Sequence, residues 1–222
     1  MSAKKMFRGN PVGGIFFWLP VVLVLALSAC MPRSTAPRAT YFFTLDYPPP
    51  SAGPTHQLPV VLRVERFSVS PPFQTQRMVY GGEGRHRNTY AYHQWIAPPG
   101  DLLPYFLVRD LRQTNGFKAV LTPGTSLSAT HSLYGWVEEF MEKDGSNNAA
   151  AVATLHITLI DNLIADPVGK IMLQKRYHAS VPCRAETPAA LAESMSQAMA
   201  EISSEIAIDI HRRLSSAHAL KY

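Results

Sequence analysis

The sequence predicts an α/β fold: a single domain with a mixed, mostly antiparallel sheet and two main helices packed on it. Three observations predict it. Residues 131–181 read as three long strands in succession, joined by turn signals. Residues 188–214 carry apolar side chains at helical spacing. Short β-prone runs precede both, broken by Pro and Gly, and enclose one shorter helix. Composition agrees. The chain has 222 residues, 46% hydrophobic and 17% charged, which excludes a disordered polar chain. Its 2 cysteines exclude a disulfide scaffold.

Tyr41-Phe42-Phe43-Thr44-Leu45 is aromatic and β-prone, and the Pro-rich run 48–54 ends it. Residues 60–67 alternate at their end: Leu62, Val64 and Arg66 oppose Arg63, Glu65 and Phe67. Arg77–Tyr80 and Thr89–Tyr92 form a hairpin around a Gly-rich loop whose tip carries Arg85, His86 and Arg87. Asp101 opens a helix, as its cap or in its first turn. Leu103, Phe106, Leu107, Asp110 and Leu111 follow helical spacing, Pro104 is placed in the first turn, and Gly116 supplies the stop. Phe117–Leu121 is a strand. His131–Lys143 alternates, with Leu133, Gly135, Val137, Glu139 and Met141 against Tyr134, Trp136, Glu138 and Phe140. Asp144-Gly145 signals a hairpin into 149–161, and a third strand runs over 170–181. Thr187 caps the last helix, Pro188 begins it, and its stripe includes Leu191, Met195, Ile202 and Ile206.

The start of the chain reads as an address. A basic region is followed by the uncharged run Gly13–Ala29 and then by Leu27-Ser28-Ala29-Cys30, which resembles a bacterial lipobox. Cleavage then falls between Ala29 and Cys30, and Cys30 takes the lipid. The competing reading is a plain anchor helix with an incidental cysteine. Residues 1–29 are the signal, 30–40 a lipidated tether and 41–216 the domain. Several acyl chains would anchor firmly, at ~0.8 kcal/mol per buried CH₂. Lys4, Lys5 and Arg8 all lie in the leader, where there is no Asp or Glu. The formal charge of +5 therefore falls to +2 for the mature chain, and no nucleic-acid partner is expected. Cys183 is left as a lone thiol, read as a small buried hydrophobe.

No motif for chemistry is found. G-x-S-x-G, G-x-x-x-x-G-K-[ST], H-E-x-x-H and C-x-x-C are all absent. No catalytic residue, metal site or cofactor is assigned. His156 and His178 can be strand neighbours, but two His without a third ligand make no metal site. Glu138 and Glu139 are adjacent on a strand, so alternation places them on opposite faces. Two features invite docking: the tip residues Arg85 and Arg87, otherwise a solvated turn, and Trp95-Ile96-Ala97-Pro98-Pro99, otherwise a core plug.

Four features together resemble the ABC-type transport auxiliary lipoproteins, also described as paraquat-inducible protein C-like. They are the lipobox Cys30 with a tether and Tyr41 to Leu45; strand 60–67 leading to Tyr80 and a Gly turn; Tyr90, then Trp95 with Pro98-Pro99 and Leu102-Leu103; and a meander closed by one amphipathic helix. Ile96 departs from the pattern, where an Ala before a polar residue is expected. The resemblance implies a fold similar to anticodon-binding or TolB N-terminal-like domains. It implies a non-catalytic outer-membrane lipoprotein facing the periplasm, and Met31 in place of Asp fits that membrane. It implies a partner, a mammalian-cell-entry (MCE) domain protein of an intermembrane lipid transport system. Homo-oligomerisation stays open. The alternatives are an acyl-chain carrier with a Leu-, Met- and Ile-lined tunnel, and an accessory lipoprotein for outer-membrane assembly or wall synthesis.

Overall fold

The computed structural model describes residues 38–50, 56–82, 86–145 and 149–219. Ala39–Tyr222 forms one compact unit. Nine strands make one sheet: β1 (Tyr41–Phe43), β2 (Leu58–Val64), β3 (Ser68–Val69), β4 (Arg77–Gly81), β5 (Asn88–Trp95), β6 (Phe117–Leu121), β7 (His131–Lys143), β8 (Ala150–Asp161) and β9 (Ile171–Pro182). Helix α1 spans Pro99–Gln113 and α2 spans Pro188–Ala219, with a short 3-10 turn at Pro71–Phe73.

β7 is the spine. One of its edges pairs with β8 along its whole length, and β8 pairs with β9, so the antiparallel meander stands as read. Its other edge is shared in sequence by β2, β3 and β4, all parallel to it. β1 and β5 extend the sheet beyond β4, and β6 extends it beyond β2. The sheet is therefore mixed, with its two longest ladders antiparallel. A bulge between Val137 and Glu139 bends the spine and lets the sheet curl.

Both helices share one face. Leu191, Met195, Met199, Ile202, Ile206 and Ile210 of α2 are buried in one cluster with Leu155, Ile157 and Leu159 of β8 and Leu103, Leu107 and Leu111 of α1. Full burial of each Leu, Ile or Met contributes ~1.5–3 kcal/mol. Thr187 caps α2 as expected, its Oγ1 accepting from Ala190 N–H at 3.2 Å. The helix runs past Leu214, where the apolar stripe ends, to Ala219. Ala217 and His218 there reach over the start of β2 and line a small cavity with Leu58.

Three local expectations are corrected. β2 ends at Val64 and its alternation stops there: Phe67 is buried and Arg66 is exposed, pairing with Asp101. Phe67 turns inward because two glycines admit it. A Cβ on Gly135 would sit 2.4 Å from its ring, and one on Gly100 would sit 2.7 Å from its carbonyl oxygen. Pro104 lies inside α1 beyond the first turn, because the helix starts at Pro99. Its missing N–H leaves the Gly100 carbonyl without an i+4 donor, and Phe67 N–H donates to that oxygen at 3.1 Å. Finally, Asn115 and not Gly116 takes the left-handed turn after α1, with φ +53°.

A buried polar lock joins the two helices and the segment after β1. Asp110 of α1 is fully buried. Its Oδ2 accepts from Tyr47 Oη (2.9 Å) and from Ser203 Oγ of α2 (2.6 Å), and its Oδ1 accepts from Arg109 Nε (2.8 Å). The Arg109 guanidinium lies over the Tyr47 and Phe106 rings. Burial, and then the Asp110 charge, hold the Tyr47 phenol far above its ordinary range.

Glu142 of β7 is a second buried carboxyl, and Tyr90 Oη donates to it at 2.9 Å. Burial raises its pKa; the Tyr90 bond opposes this, and Asp144 and Glu186 add to it. A carboxyl raised in the fold contributes its stability below the unfolded value, ~4.3, and loses it as pH rises through the folded value. Glu142→Gln should therefore raise the melting temperature at about pH 8 and leave it nearly unchanged at about pH 4. Equal effects at both pH values in thermal melts would show that the carboxyl is not buried as an acid.

Candidate functional site

Among the described residues, the face opposite the helices is covered at one end, where Phe73 of the 3-10 turn packs with Val79 and Met141. Over the His131 half of the spine the described residues leave Tyr134 and Trp136 uncovered. Tyr134 and Trp136 project from β7, 45% and 43% exposed. Register carries this surface across the meander: Trp136 opposes His156 and then Arg176, while Ser132 opposes Ile160 and then the exposed Ile171. Two neighbouring loops extend it. Asn162 N–H donates to the Thr130 carbonyl and its Nδ2 to that of Ala129, which holds the 122–130 and 162–169 loops side by side. Leu127, Leu163 and Val168 are exposed on them. Asp161 and Asp166 accept from backbone N–H groups of the second loop, so turns shape it and its apolar side chains stay outward.

The aromatic at the centre is held in place. The Trp136 and His156 rings lie 4.9 Å apart. His156 Nε2 is 2.8 Å from Glu138 Oε2, and Arg176 Nε donates to the same oxygen at 2.8 Å. Those bonds, from Arg176 and then His156, keep the Glu138 carboxyl below the ordinary range. Glu139 accepts from Thr154 Oγ1 at 2.8 Å. Thr154 and His156 are alternate residues of β8, so Glu138 and Glu139 share one face. This corrects the expectation of opposite faces; the bulge beside them inserts the extra residue that cancels alternation.

The arrangement does not activate Thr154 as a nucleophile. Thr154 is fully buried and its proton goes to Glu139, while His178 Nδ1 lies 2.9 Å from the same oxygen. A hydroxyl that donates to a carboxylate is not being deprotonated by the imidazole. Among the described residues no group of three His, Cys, Asp or Glu is placed to hold a metal ion. Trp, Tyr and Arg on a firm, half-exposed surface are instead the composition of a protein-binding hot spot.

The residues singled out from sequence fall elsewhere. Trp95 is 1% exposed and packs against Phe140, with ring centroids 5.1 Å apart, so its indole plugs the core and is no ledge. Pro98 is half-buried before α1 and Pro99 is buried as its first residue; Ile96 alone of that run is exposed. Arg87 is exposed, donating to the His86 carbonyl. Ala29, Cys30 and Arg85 lie outside the described residues. Cys183 is buried, and burial raises its thiol pKa. The bare face was missed, although large residues on both sides of the 131–143 alternation were its signal.

The family model for the ABC-type transport auxiliary lipoprotein component matches residues 43–207. The chain belongs to this family. Among solved structures, protein XCC0632 from Xanthomonas campestris, of the DUF330 family model, aligns over 82% of this auxiliary lipoprotein and 99% of its own chain, with a TM-score of 0.70 and 18% identity. A hypothetical protein CT253 from Chlamydia trachomatis aligns over 72% and 99%, with a TM-score of 0.51 and 10% identity. At these identities the likeness shows the fold. No curated protein matches in sequence. Among the described residues no helix is long and apolar enough to cross a membrane.

Proposed function

We propose that this auxiliary lipoprotein is held in the outer membrane by acyl chains on Cys30, faces the periplasm, and docks an MCE-domain protein of an ABC-type intermembrane lipid transport system. Its contribution is positional and involves no reaction. The observation that carries the reading is the uncovered face around Trp136, because a firm aromatic on an otherwise bare sheet suits recognition of a partner. Family membership supports the transport setting, and the leader ending in Ala29-Cys30 supports the anchor. Met31 favours the outer membrane.

The acyl-carrier alternative loses ground on packing. The cavity at the end of α2, lined by Leu58, Met172 and Leu214, holds about 50 Å³, too little for an acyl chain, and the larger hollows, about 510 Å³ beside Arg66 and Gln74 and about 430 Å³ beside Pro48 and Glu201, are shallow and open to solvent.

The test uses the full chain and a purified MCE-domain protein from the same genome. Trp136→Ala should weaken binding about 30-fold, the loss of a hot-spot side chain worth ~2 kcal/mol. Cys30→Ser should leave the domain folded but missing from outer-membrane fractions. Unchanged affinity for Trp136→Ala would refute the docking face. Binding to a β-barrel assembly protein or a wall synthase, with none to the MCE protein, would refute the transport role.

A further inference from the structure

The β1 edge of the sheet has a different surface. β4 meets β7 at Glu142 and Lys143, so β4, β5 and β1 flank the Lys143 half of the spine, with β1 the third strand out from it. Among the described residues β1 is an edge strand, paired with β5. Its Tyr41 and Phe42 are 58% and 57% exposed. They point to opposite sides of the strand, as alternation requires. Tyr41 stacks on His93 at 5.5 Å. On the other side, register aligns Phe42 with Gln94 and Gln94 with the exposed Arg77, a row across three strands. Tyr92, two residues before Gln94, is also exposed.

Glu142 and Asp144 of the β7 end lie against Tyr90 and Gly82, but the three strands themselves carry charge of one sign. β1, β4 and β5 contain no Asp or Glu, and neither does the stretch 31–40 that leads into them, which holds Arg33 and Arg38. The position in the chain adds the second argument. Cys30 precedes Tyr41 by eleven residues. Fully extended, that stretch reaches at most about 40 Å. Whatever holds Cys30 keeps β1 close by.

We propose that this aromatic and basic corner rests on the anionic headgroup surface of the leaflet that holds the acyl chains, with Phe42 and Tyr41 in the interface and Arg77 among the phosphates. The proposal builds on the Cys30 anchor. Aromatic rings favour the interfacial zone, and each Arg near an anionic surface contributes ~1 kcal/mol. Contact at β1, the third strand out from β7, leaves Trp136 on the spine itself open to the periplasm.

The experiment is hydrogen–deuterium exchange on the full acylated chain, in vesicles containing phosphatidylglycerol and in vesicles of phosphatidylcholine alone. Amides of β1 and β5 should exchange about fivefold more slowly on the anionic vesicles. The double variant Phe42→Asp, Arg77→Glu should lose that slowing yet still sediment with both vesicles, since both sites are exposed and the acyl chains remain. Equal rates on the two vesicle types would overturn the corner, as would slowing confined to Tyr134–Trp136 and β9. Slowing that grows with protein density on phosphatidylcholine would overturn it in favour of β1 pairing with a second copy. Mass spectrometry of the same sample separates the two ideas. An unmodified Cys30 thiol defeats the anchor and the corner together; an acylated chain with equal exchange rates defeats the corner alone.

Discussion

Asp110→Ala is expected to lower the folding free energy by about 3–5 kcal/mol, the range for breaking a buried ion pair from one side. The carboxylate is 0% exposed and serves three donors. Alanine leaves the Tyr47 and Ser203 hydroxyls without their acceptor at a buried position. It also leaves the Arg109 guanidinium, 2.7 Å from Oδ1, without its counter-charge. Tyr47→Phe and Ser203→Ala each remove one donor and keep the charge pair, so each should cost about 0.5–1.5 kcal/mol. Urea titrations analysed by linear extrapolation give the comparison. An Asp110→Ala loss below about 1 kcal/mol would mean that water reaches the site and that the lock does not hold the two helices together.

Trp95→Ala is expected to cost about 3–5 kcal/mol, as for other large aromatic deletions in a core. The indole packs against Phe140, and the Trp95 N–H donates to the Gln76 carbonyl at 2.7 Å, so the end of β5 is positioned from both side chain and backbone. Trp95→Phe keeps much of the apolar volume and should recover more than half of the loss. A surface ledge would behave differently, since exposed substitutions away from special contacts stay within about 0.5 kcal/mol. The urea midpoint therefore decides between plug and ledge independently of any partner. A Trp95→Ala midpoint equal to that of the unaltered protein would return this residue to the list of docking candidates.

Legibility in the sequence followed the range of the interactions. The meander and α2 were readable because their apolar side chains repeat at the strand and helix periods over a dozen or more residues. The bounds of β7 agree with the reading, and Thr187 caps α2 as its side chain suggests. Asp110 was placed on the buried stripe of α1, but nothing local pointed to its partners, 63 and 93 residues away. The parallel seats of β2, β3 and β4 along one edge of β7 were equally hidden. They depend on pairing between segments far apart in the chain. The bulge at Val137 left no mark, because one extra residue looks like ordinary alternation until the partner strand is known. It moved Glu138 and Glu139 to one face and so created the brace behind Trp136.

The sequence by itself determined the longer strands, both helices and the lack of any recognised catalytic motif. These depend on neighbours within a few positions, where backbone geometry alone sets the period. Only the tertiary structure decided that Trp95 is interior and Trp136 exterior, and that one sheet face is half bare. A tryptophan has the same preference for burial wherever it stands, and which of two is covered depends on the distant segments that pack over it.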